Sequence, residues 1–470
     1  MRLVMKFGGP ALADSKSILN VLEIIKEYHF EGHKLVAVTS ALSKVTDELA
    51  TMTEKAIDTD LNTVNEFVER QSERHSTTAK GCIHNPKILQ DVLIEISETT
   101  KELGGILRSV SRLRELTPRS RDFLLSFGER LSTPIICGTA RDSGLITEWF
   151  TGGRAGIVTD ENFGEATPLM DITIRHVKAK LEPLLNAGKL PIVAGYAASS
   201  PHGTITTLGR GGSDYTATII GSALDAHEII LWKDVDGLMT ADPSIEPHAK
   251  LLRKVSYAEA DEMAYFGTKA IHPRALEPVL EKKIPVRIRS SSNLACEGTL
   301  ITGDTSKRKQ SIVKAVTMVD KVAMISVTGS GMAGLPGVAA KVFRILGDSN
   351  VNILMISQSS SEAGISFVTP RDKLHRATNA LELGILGTKL VKGIVSENDI
   401  CVVSAVGAGM KGTRGVAARV FKAVSSKGIN VRMIAQGSSE LNISFVVGEK
   451  DGPKAVRALH DEFGLDRDDD

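Results

Sequence analysis

Aromatic residues are scarce in this 470-residue chain, with 13 Phe, 5 Tyr and 2 Trp. A core with so few rings must be filled by Val, Ile, Leu and Ala, the usual packing of parallel sheets. Excess charge of either sign is also missing, since 57 Lys+Arg stand against 56 Asp+Glu. That balance argues against holding nucleic acid by bulk electrostatics and against a polybasic membrane binder. Only four cysteines occur, Cys82, Cys137, Cys296 and Cys401, and no two form a CxxC pair. The wide spacing excludes the common zinc patterns and a disulfide framework. No stretch approaches the ~18 apolar residues of a membrane span, and the opening MRLVMKFGG has no run long enough for a secretory signal. A reducing cytoplasm is the expected setting. Glycine is the exception, at 42 residues, above the usual share of ~7%. At ~150 residues per domain, the length predicts about three domains and a large core without staples.

Strand and helix patterns alternate along the first two thirds. Leu3 to Phe7 is a short apolar strand, broken by Gly8-Gly9-Pro10 and followed by Ile18, Leu19, Leu22 and Ile25 at helical spacing. KLVAVT at 34–39, PIVAG at 191–195 and IILW at 229–232 are further buried-strand candidates, and 44–116 is polar with helical periodicity. Ile205 to Thr207, a glycine turn and Thr216 to Leu224 repeat the strand–turn–helix pattern. Such alternation favours α/β architecture with a largely parallel sheet. The last third carries an internal repeat. Residues 326–368 match 404–446 without a gap, at a constant offset of 78 and with about half the positions alike. Two copies make a pair of like domains rather than a solenoid.

The glycine has addresses. LGRGGSD at 208–214 lies between a strand and a helix, where backbone N–H groups and the helix start converge on one point. Arg210 can clamp a carboxylate or phosphate there. The same residues also read as a tight turn with Asp214 as N-cap. Lys6 ends the first strand beside Gly8-Gly9 and is either a phosphate-reaching cation or a solvated surface lysine. Glu129, in SFGER amid Leu124, Leu125, Phe127 and Leu131, is either a paired structural carboxylate or a substrate contact. Ser40 and Thr46 follow the second strand as ligand-holding or turn residues. Glycine turns at strand ends, each with a charged residue, together favour binding of a polyphosphate. The glycine turns of the repeat, 329–337 and 407–415, have no nearby Lys–Asp pair and read as binding or contact turns.

These segments resemble one family. KFGG at 6–9, TSALSKVTD at 39–47, LTPRSRDFLLSFGERLS at 116–132, TTLGRGGSD at 206–214 and AYFGTKAIHP at 264–273 are similar to the signatures of the aspartate kinases. The repeat resembles their paired ACT regulatory domains. The resemblance implies the amino-acid kinase fold over 1–305, a largely parallel central sheet with helices on both faces, with an aspartate-binding N-lobe and a nucleotide-binding C-lobe. Two α+β ferredoxin-like ACT modules follow at 318–395 and 396–465, with 306–320 available to lend strands to the second. The implied reaction moves the γ-phosphate of ATP, taken with Mg²⁺, to L-aspartate. It gives ADP and 4-phospho-L-aspartate, the first step toward lysine, threonine and methionine. Lys6 would stabilise the transferring phosphoryl group, Gly8 and Gly9 would let the backbone approach, and Asp214 would orient Lys6 or the Mg²⁺-bound phosphates. Arg210 would clamp the α-carboxylate of aspartate, Glu129 would take its α-ammonium, and Ser40, Thr46 and Ser213 would orient it. Lys233, Asp234, Met239, Asp242 and Lys269 fall in nucleotide-binding segments. Met332, Gly334, Leu335, Gly337, Asn352 and Gln358 would hold an amino-acid effector, threonine or lysine, with Asn and Gln closer to the threonine-responsive members. Asn430 and Gln436 take the same places in the second copy, which is expected to build an interface instead. A homodimer or dimer of dimers through the ACT modules is implied, with no resident metal and no nucleic-acid or membrane partner. The chain ends soon after the second repeat, so a monofunctional kinase without a fused homoserine dehydrogenase is the expectation. A kinase of another acidic acceptor such as glutamate, and a weakly catalytic amino-acid sensor, are the alternatives.

Four positions depart from the family pattern. Pro10 stands where Ser or Thr is usual, and it lacks both the hydroxyl and the N–H that can meet a phosphate. In WKDVDGLMTADPS at 232–244, Lys233 replaces Thr, Met239 replaces Tyr and Ser244 replaces Arg. Altered ATP handling with an unchanged acceptor is the expectation. Pro10→Thr and Ser244→Arg should therefore each lower the KM for ATP in an ADP-release assay. No improvement from either would count against this reading of the departures.

Overall fold

The computed structural model describes residues 1–268, 270–303, 311–329, 332, 335–359, 364–386 and 391–467. β1 (Arg2–Phe7) is buried from Leu3 to Phe7, and a 3-10 turn at Gly9–Leu12 leads into α1 (Ser15–Phe30). The start of α1 is fixed by Asp14, whose carboxylate accepts the Ser17 N–H at 2.8 Å. β2 (Lys34–Thr39), α2 (Val45–Lys55), α3 (Leu61–Cys82), α4 (Pro86–Leu113), α5 (Pro118–Leu125), α6 (Phe127–Asp142) and β3 (Thr147–Thr151) follow. Next come α7 (Met170–Asn186), β4 (Leu190–Ala194), the hairpin β5 (Ala197–Ser199) and β6 (Ile205–Thr207), α8 (Gly212–Ala223) and β7 (Glu228–Lys233). β8 (Lys254–Ser256), α9 (Tyr257–Tyr265), α10 (Glu277–Leu280), β9 (Val286–Ser290) and β10 (Thr299–Thr302) complete this part.

The main sheet has the order β3-β4-β2-β1-β7-β9-β10-β8, and every pairing is parallel except β9 with β10. α1, α3, α4 and α6 pack together on one side, while α7, α8 and α10 form a separate set. Strand alternation decides which residue meets which set. Leu3, Met5 and Phe7 enter the core built with α1 and α6. Lys6 has the opposite parity, and it meets α8 instead.

The chain divides into two compact units. The first comprises 1–238, 253–257 and 270–305, and the second comprises 239–252, 258–269 and 306–470. The second is built on an antiparallel sheet of order β12-β13-β11-β14-β16-β15, from β11 (Ala315–Thr328), β12 (Met355–Gln358), β13 (Gly364–Pro370), β14 (Gly393–Val406), β15 (Met433–Ala435) and β16 (Asn442–Gly448). α11 (Val338–Asp348), α12 (Leu374–Ile385), α13 (Val416–Ser426) and α14 (Gly452–Phe463) belong to it. β11 serves both halves. Residues 315–319 pair with 402–406, whereas 322–328 pair with β13, and a register shift separates them. The segment 239–252 joins this unit because Ala241, Ile245 and Ala249 pack with Val313, Val316 and Phe445. The repeat is preserved in three dimensions. Ser326 meets Ser366 at 2.8 Å and Ser404 meets Ser444 at 2.8 Å, while Phe343–Phe367 and Phe421–Phe445 make the same edge contact. Among the described residues, no helix is long and apolar enough to cross a membrane.

Asp122 ties α5 to β6. Its Oδ2 accepts the N–H of Thr207 at 2.7 Å and of Gly164 at 3.0 Å, and its Oδ1 accepts the Thr207 hydroxyl at 2.9 Å. The side chain is fully buried. Asp122→Ala should therefore cost about 2–3 kcal/mol through unsatisfied donors, read as a fall in the urea midpoint. Asp122→Asn keeps one acceptor oxygen and should cost less.

Candidate active site

Two neighbouring strand ends and one helix start bring three charges together. Lys6 lies at the end of β1, Lys233 ends β7 and Asp214 stands in the first turn of α8. β1 pairs with β7, with Phe7 opposite Trp232, so both lysines emerge at the same edge. Lys6 Nζ lies 2.6 Å from Asp214 Oδ1, and Lys233 Nζ donates to Asp214 Oδ2 at 2.6 Å. The side chains of Lys6 and Asp214 are only 9% and 5% exposed. Burial drives Lys6 below the ordinary lysine range, with Asp214 opposing and Lys233 adding to the fall. Burial would raise Asp214, yet Lys233 and Lys6 outweigh it and hold its carboxyl at about 2. Lys6 is thus no solvated surface lysine, and Asp214 is not the helix N-cap, since Gly211 takes that place and no side chain caps the helix.

A cleft of about 480 Å³ opens above this pair, lined among others by Lys6, Gly9, Ser40, Thr46, Glu129, Arg210, Ser213 and Asp214. It sits at the carboxyl ends of parallel strands, where loops meet in α/β folds. Its floor is also the start of α8, whose unpaired N–H groups favour an anion. Gly209 and Gly211 take φ of +76° and +69°, and a Cβ on Gly211 would lie 2.6 Å from His272. Only glycine serves there. Tyr196, at φ 68°, is a non-glycine residue held left-handed by Leu208 N–H donating to its carbonyl at 2.9 Å. The Gly8 N–H donates to the Trp232 carbonyl at 3.1 Å. Pro10 opens the 3-10 turn and is exposed, a position that tolerates a missing N–H.

Glu129 is the second buried carboxylate of the cleft. It is 3% exposed, and its Oε2 has no hydrogen-bond partner. Burial pushes it up to about 8, against hydrogen bonding from the Ala41 backbone and the attraction of Lys6. A cation placed beside it would favour its ionised form. Arg210 is exposed at the rim. Lys44, Asp47, Arg121, Glu165 and Tyr196 also line the cleft, beyond the residues expected from sequence. Lys44, Asp47 and Arg121 lie inside family-like segments, which is the signal that would have found them.

Other expected residues fall elsewhere. Asp234 is exposed and does not line the cleft. Met239 bridges Leu251, and Asp242 accepts the N–H and hydroxyl of Ser244 at 2.9 and 2.6 Å, both within the second unit. Lys269 and Gly334 lie outside the described residues. In the first repeat copy a pocket of about 340 Å³ gathers Met332, Leu335, Gly337 and Gln358 at the start of α11. Asn352 is not among its walls; it is exposed, and its carbonyl accepts the Thr369 hydroxyl at 2.9 Å.

Comparison with known proteins matches residues 1–290 to the amino acid kinase family and residues 325–383 and 403–463 to the ACT domain. The chain is 34% identical to "Aspartokinase 1, chloroplastic" of Arabidopsis thaliana, over 98% of this chain and 80% of that one. It is 35% identical to "Bifunctional aspartokinase/homoserine dehydrogenase 2, chloroplastic" of the same plant, and it spans about half of that relative, 51%. Among solved structures, E. coli aspartokinase III in complex with aspartate and ADP superposes with a TM-score of 0.85 at 26% identity, covering 98% of this chain and 99% of that one. The same E. coli protein with lysine and aspartate gives 0.78 at 27% identity, covering 98% and 99%.

The Glu129 shift has a measurable sign. Its carboxyl ionises near 4.5 when unfolded and near 8 when folded, so the native state holds the extra proton between those values. Its contribution to stability is therefore complete below about 4.5 and lost as pH rises through about 8. Glu129→Gln should melt at a higher temperature than the parent at pH ~8.5 and close to it at pH ~4.5. Parallel melting curves across that range would refute the assignment.

Proposed function

The chain belongs to the amino acid kinase family and, within it, to the aspartokinases, and from that premise we propose that it phosphorylates L-aspartate on its β-carboxylate with ATP. The observation that carries this reading is one cleft holding a buried lysine–aspartate pair, a buried glutamate whose Oε2 has no hydrogen-bond partner, and a rim arginine. The acceptor is a carboxylate, ionised near neutral pH, so no general base is needed. The obstacle is charge, since an anion must approach an anionic phosphoryl group. Positioning and electrostatic stabilisation supply the rate.

In this reading Lys6 meets the transferring phosphoryl group, the start of α8 with Gly9 shelters the phosphates, and Ser213 helps to orient aspartate. Arg210 takes the α-carboxylate of aspartate, and Glu129 takes its α-ammonium through the free Oε2. Ser40 and Thr46 orient the acceptor from the loop after β2. Mg²⁺ enters with ATP as part of the substrate. Both oxygens of Asp214 face lysines, which supports a role in holding Lys6 rather than the ion. Asp234, Met239, Asp242 and Lys269 stay assigned to nucleotide contacts on resemblance alone. Feedback by an amino acid at the pocket of Met332, Leu335, Gly337 and Gln358 completes the proposal. No acidic residue lines that pocket among the described residues, which favours threonine over lysine as effector. Homodimer assembly through the ACT modules and a cytoplasmic setting belong to the same proposal.

The test is ADP release with aspartate or glutamate, with and without threonine or lysine. Aspartate should drive release and glutamate should not, with threonine inhibiting. Lys6→Met should lower kcat on the order of 10²–10³-fold. Absence of aspartate-dependent release alongside intact threonine binding would sink the kinase reading and favour the sensor. A glutamate-driven rate would move the chain to another acceptor.

A further inference from the structure

Lys233 is the charge that the reaction scheme leaves without a task. It does not line the cleft, whereas Lys6 and Asp214 do. Its ammonium is nevertheless only 2.6 Å from Asp214 Oδ2, and the side chain is 14% exposed. The same carboxylate has its other oxygen 2.6 Å from Lys6. A lone Lys6–Asp214 pair would carry no net charge, and a carboxylate with one oxygen free would be able to rotate and bind Lys6 through both. With Lys233 in place, Oδ2 is occupied, Oδ1 faces Lys6, and the three groups together carry one positive charge. In a site of low dielectric that difference is large for an approaching anion.

We propose that Lys233 is a positioning residue for phosphoryl transfer: it holds Asp214 from behind and leaves the charge of Lys6 uncancelled toward the phosphate. This rests on the reading of Lys6 given above. The arrangement follows from the fold, because β7 lies beside β1 and Lys233 is one residue beyond Trp232, which pairs with Phe7. Lys233 approaches from the sheet edge and Asp214 from α8, and among the described residues the cations paired with this carboxylate are Lys6 and Lys233. The charged groups acting on Lys6 are Asp214, Lys233 and Glu129. Replacing Lys233 removes a like charge, so Lys6 should hold its proton to higher pH.

The experiment uses the full chain and a double-mutant cycle, with Lys233→Thr, Lys233→Arg, Asp214→Asn and the Lys233→Thr/Asp214→Asn pair. Inorganic triphosphate binding, measured by calorimetry, reads the charge of the cleft independently of the acceptor. Lys233→Thr should weaken triphosphate binding roughly fivefold and lower kcat roughly tenfold, as expected for loss of one placed charge. The KM for aspartate should stay within about twofold, and the basic limb of the kcat profile should move up in pH. Lys233→Arg should restore both readouts. In the Asp214→Asn background, Lys233→Thr should add little. Additive losses in the two backgrounds would make Lys233 a direct phosphate contact and overturn the proposal, as would a Lys233→Thr variant that behaves like the parent. If the parent releases no ADP with aspartate, the kinase reading fails, while the triphosphate cycle still decides the role of Lys233.

Discussion

Asp214 is the constraint on which the site depends. Placing a carboxylate and two ammonium groups out of water costs several kcal/mol per ion, and the cost is recovered only where geometry and partners are complete. Here the partners arrive from three elements, β1, β7 and α8, so the cluster exists only when the parallel sheet and its covering helix are assembled. The start of α8 adds its positive end to the same carboxylate. The order of this charge cluster and the folding of the sheet are therefore coupled at one residue. The net positive charge that remains is what an anionic substrate would find.

The rest of the cleft answers to close approach. α8 can begin beside β1 because Gly211 and Gly212 let the chain turn against His272 and Tyr196 at distances that a Cβ would not permit, while Gly209 turns tightly against Gly164. The same logic places Gly195 against Ser213, where a Cβ would lie 2.7 Å from the serine side chain. The excess of glycine is thus mostly contact rather than flexibility. It also explains the strained Tyr196, which sits in this crowded layer at φ 68° and belongs to the class of outliers that gather at working sites.

Much of this was legible in the sequence, and what was hidden shares a cause. Strand–turn–helix alternation, the glycine turns and the 78-residue repeat are local or self-similar signals, and each emerges as an element or a matched pair of modules. Lys6 was ambiguous because period-two alternation says that it opposes Met5 and Phe7, yet not which helix covers that face. Lys233 was visible as a departure from the family pattern, but its partner lies 19 residues earlier and comes near only because β7 pairs with β1. Non-local strand order is not written in any window of residues. The segment 239–252 shows the same limit, since nothing in Ala241, Ile245 or Ala249 announces that they pack with Phe445.

Sequence likeness between the two repeat copies does not carry over into like surroundings for their glycine turns. The first copy keeps a cavity at Met332, Leu335 and Gly337. In the second, the chain fills the corresponding turn. Gly407 and Gly409 lie so close to the backbone of 311–313 that a Cβ on either would fall within 2.5 Å of a carbonyl oxygen. The buried carboxylate of Glu259 then accepts the Ala408 N–H at 3.0 Å and pairs with Lys314 at 2.8 Å. A backbone donor that would otherwise suit a ligand's carboxylate is already satisfied by one from the chain itself. The side-chain pairs that build each module recur in both copies, while the second copy's turn is held by contacts from 311–313 and Glu259. What sets the second turn apart is the chain packed against it, rather than the repeat's own residues.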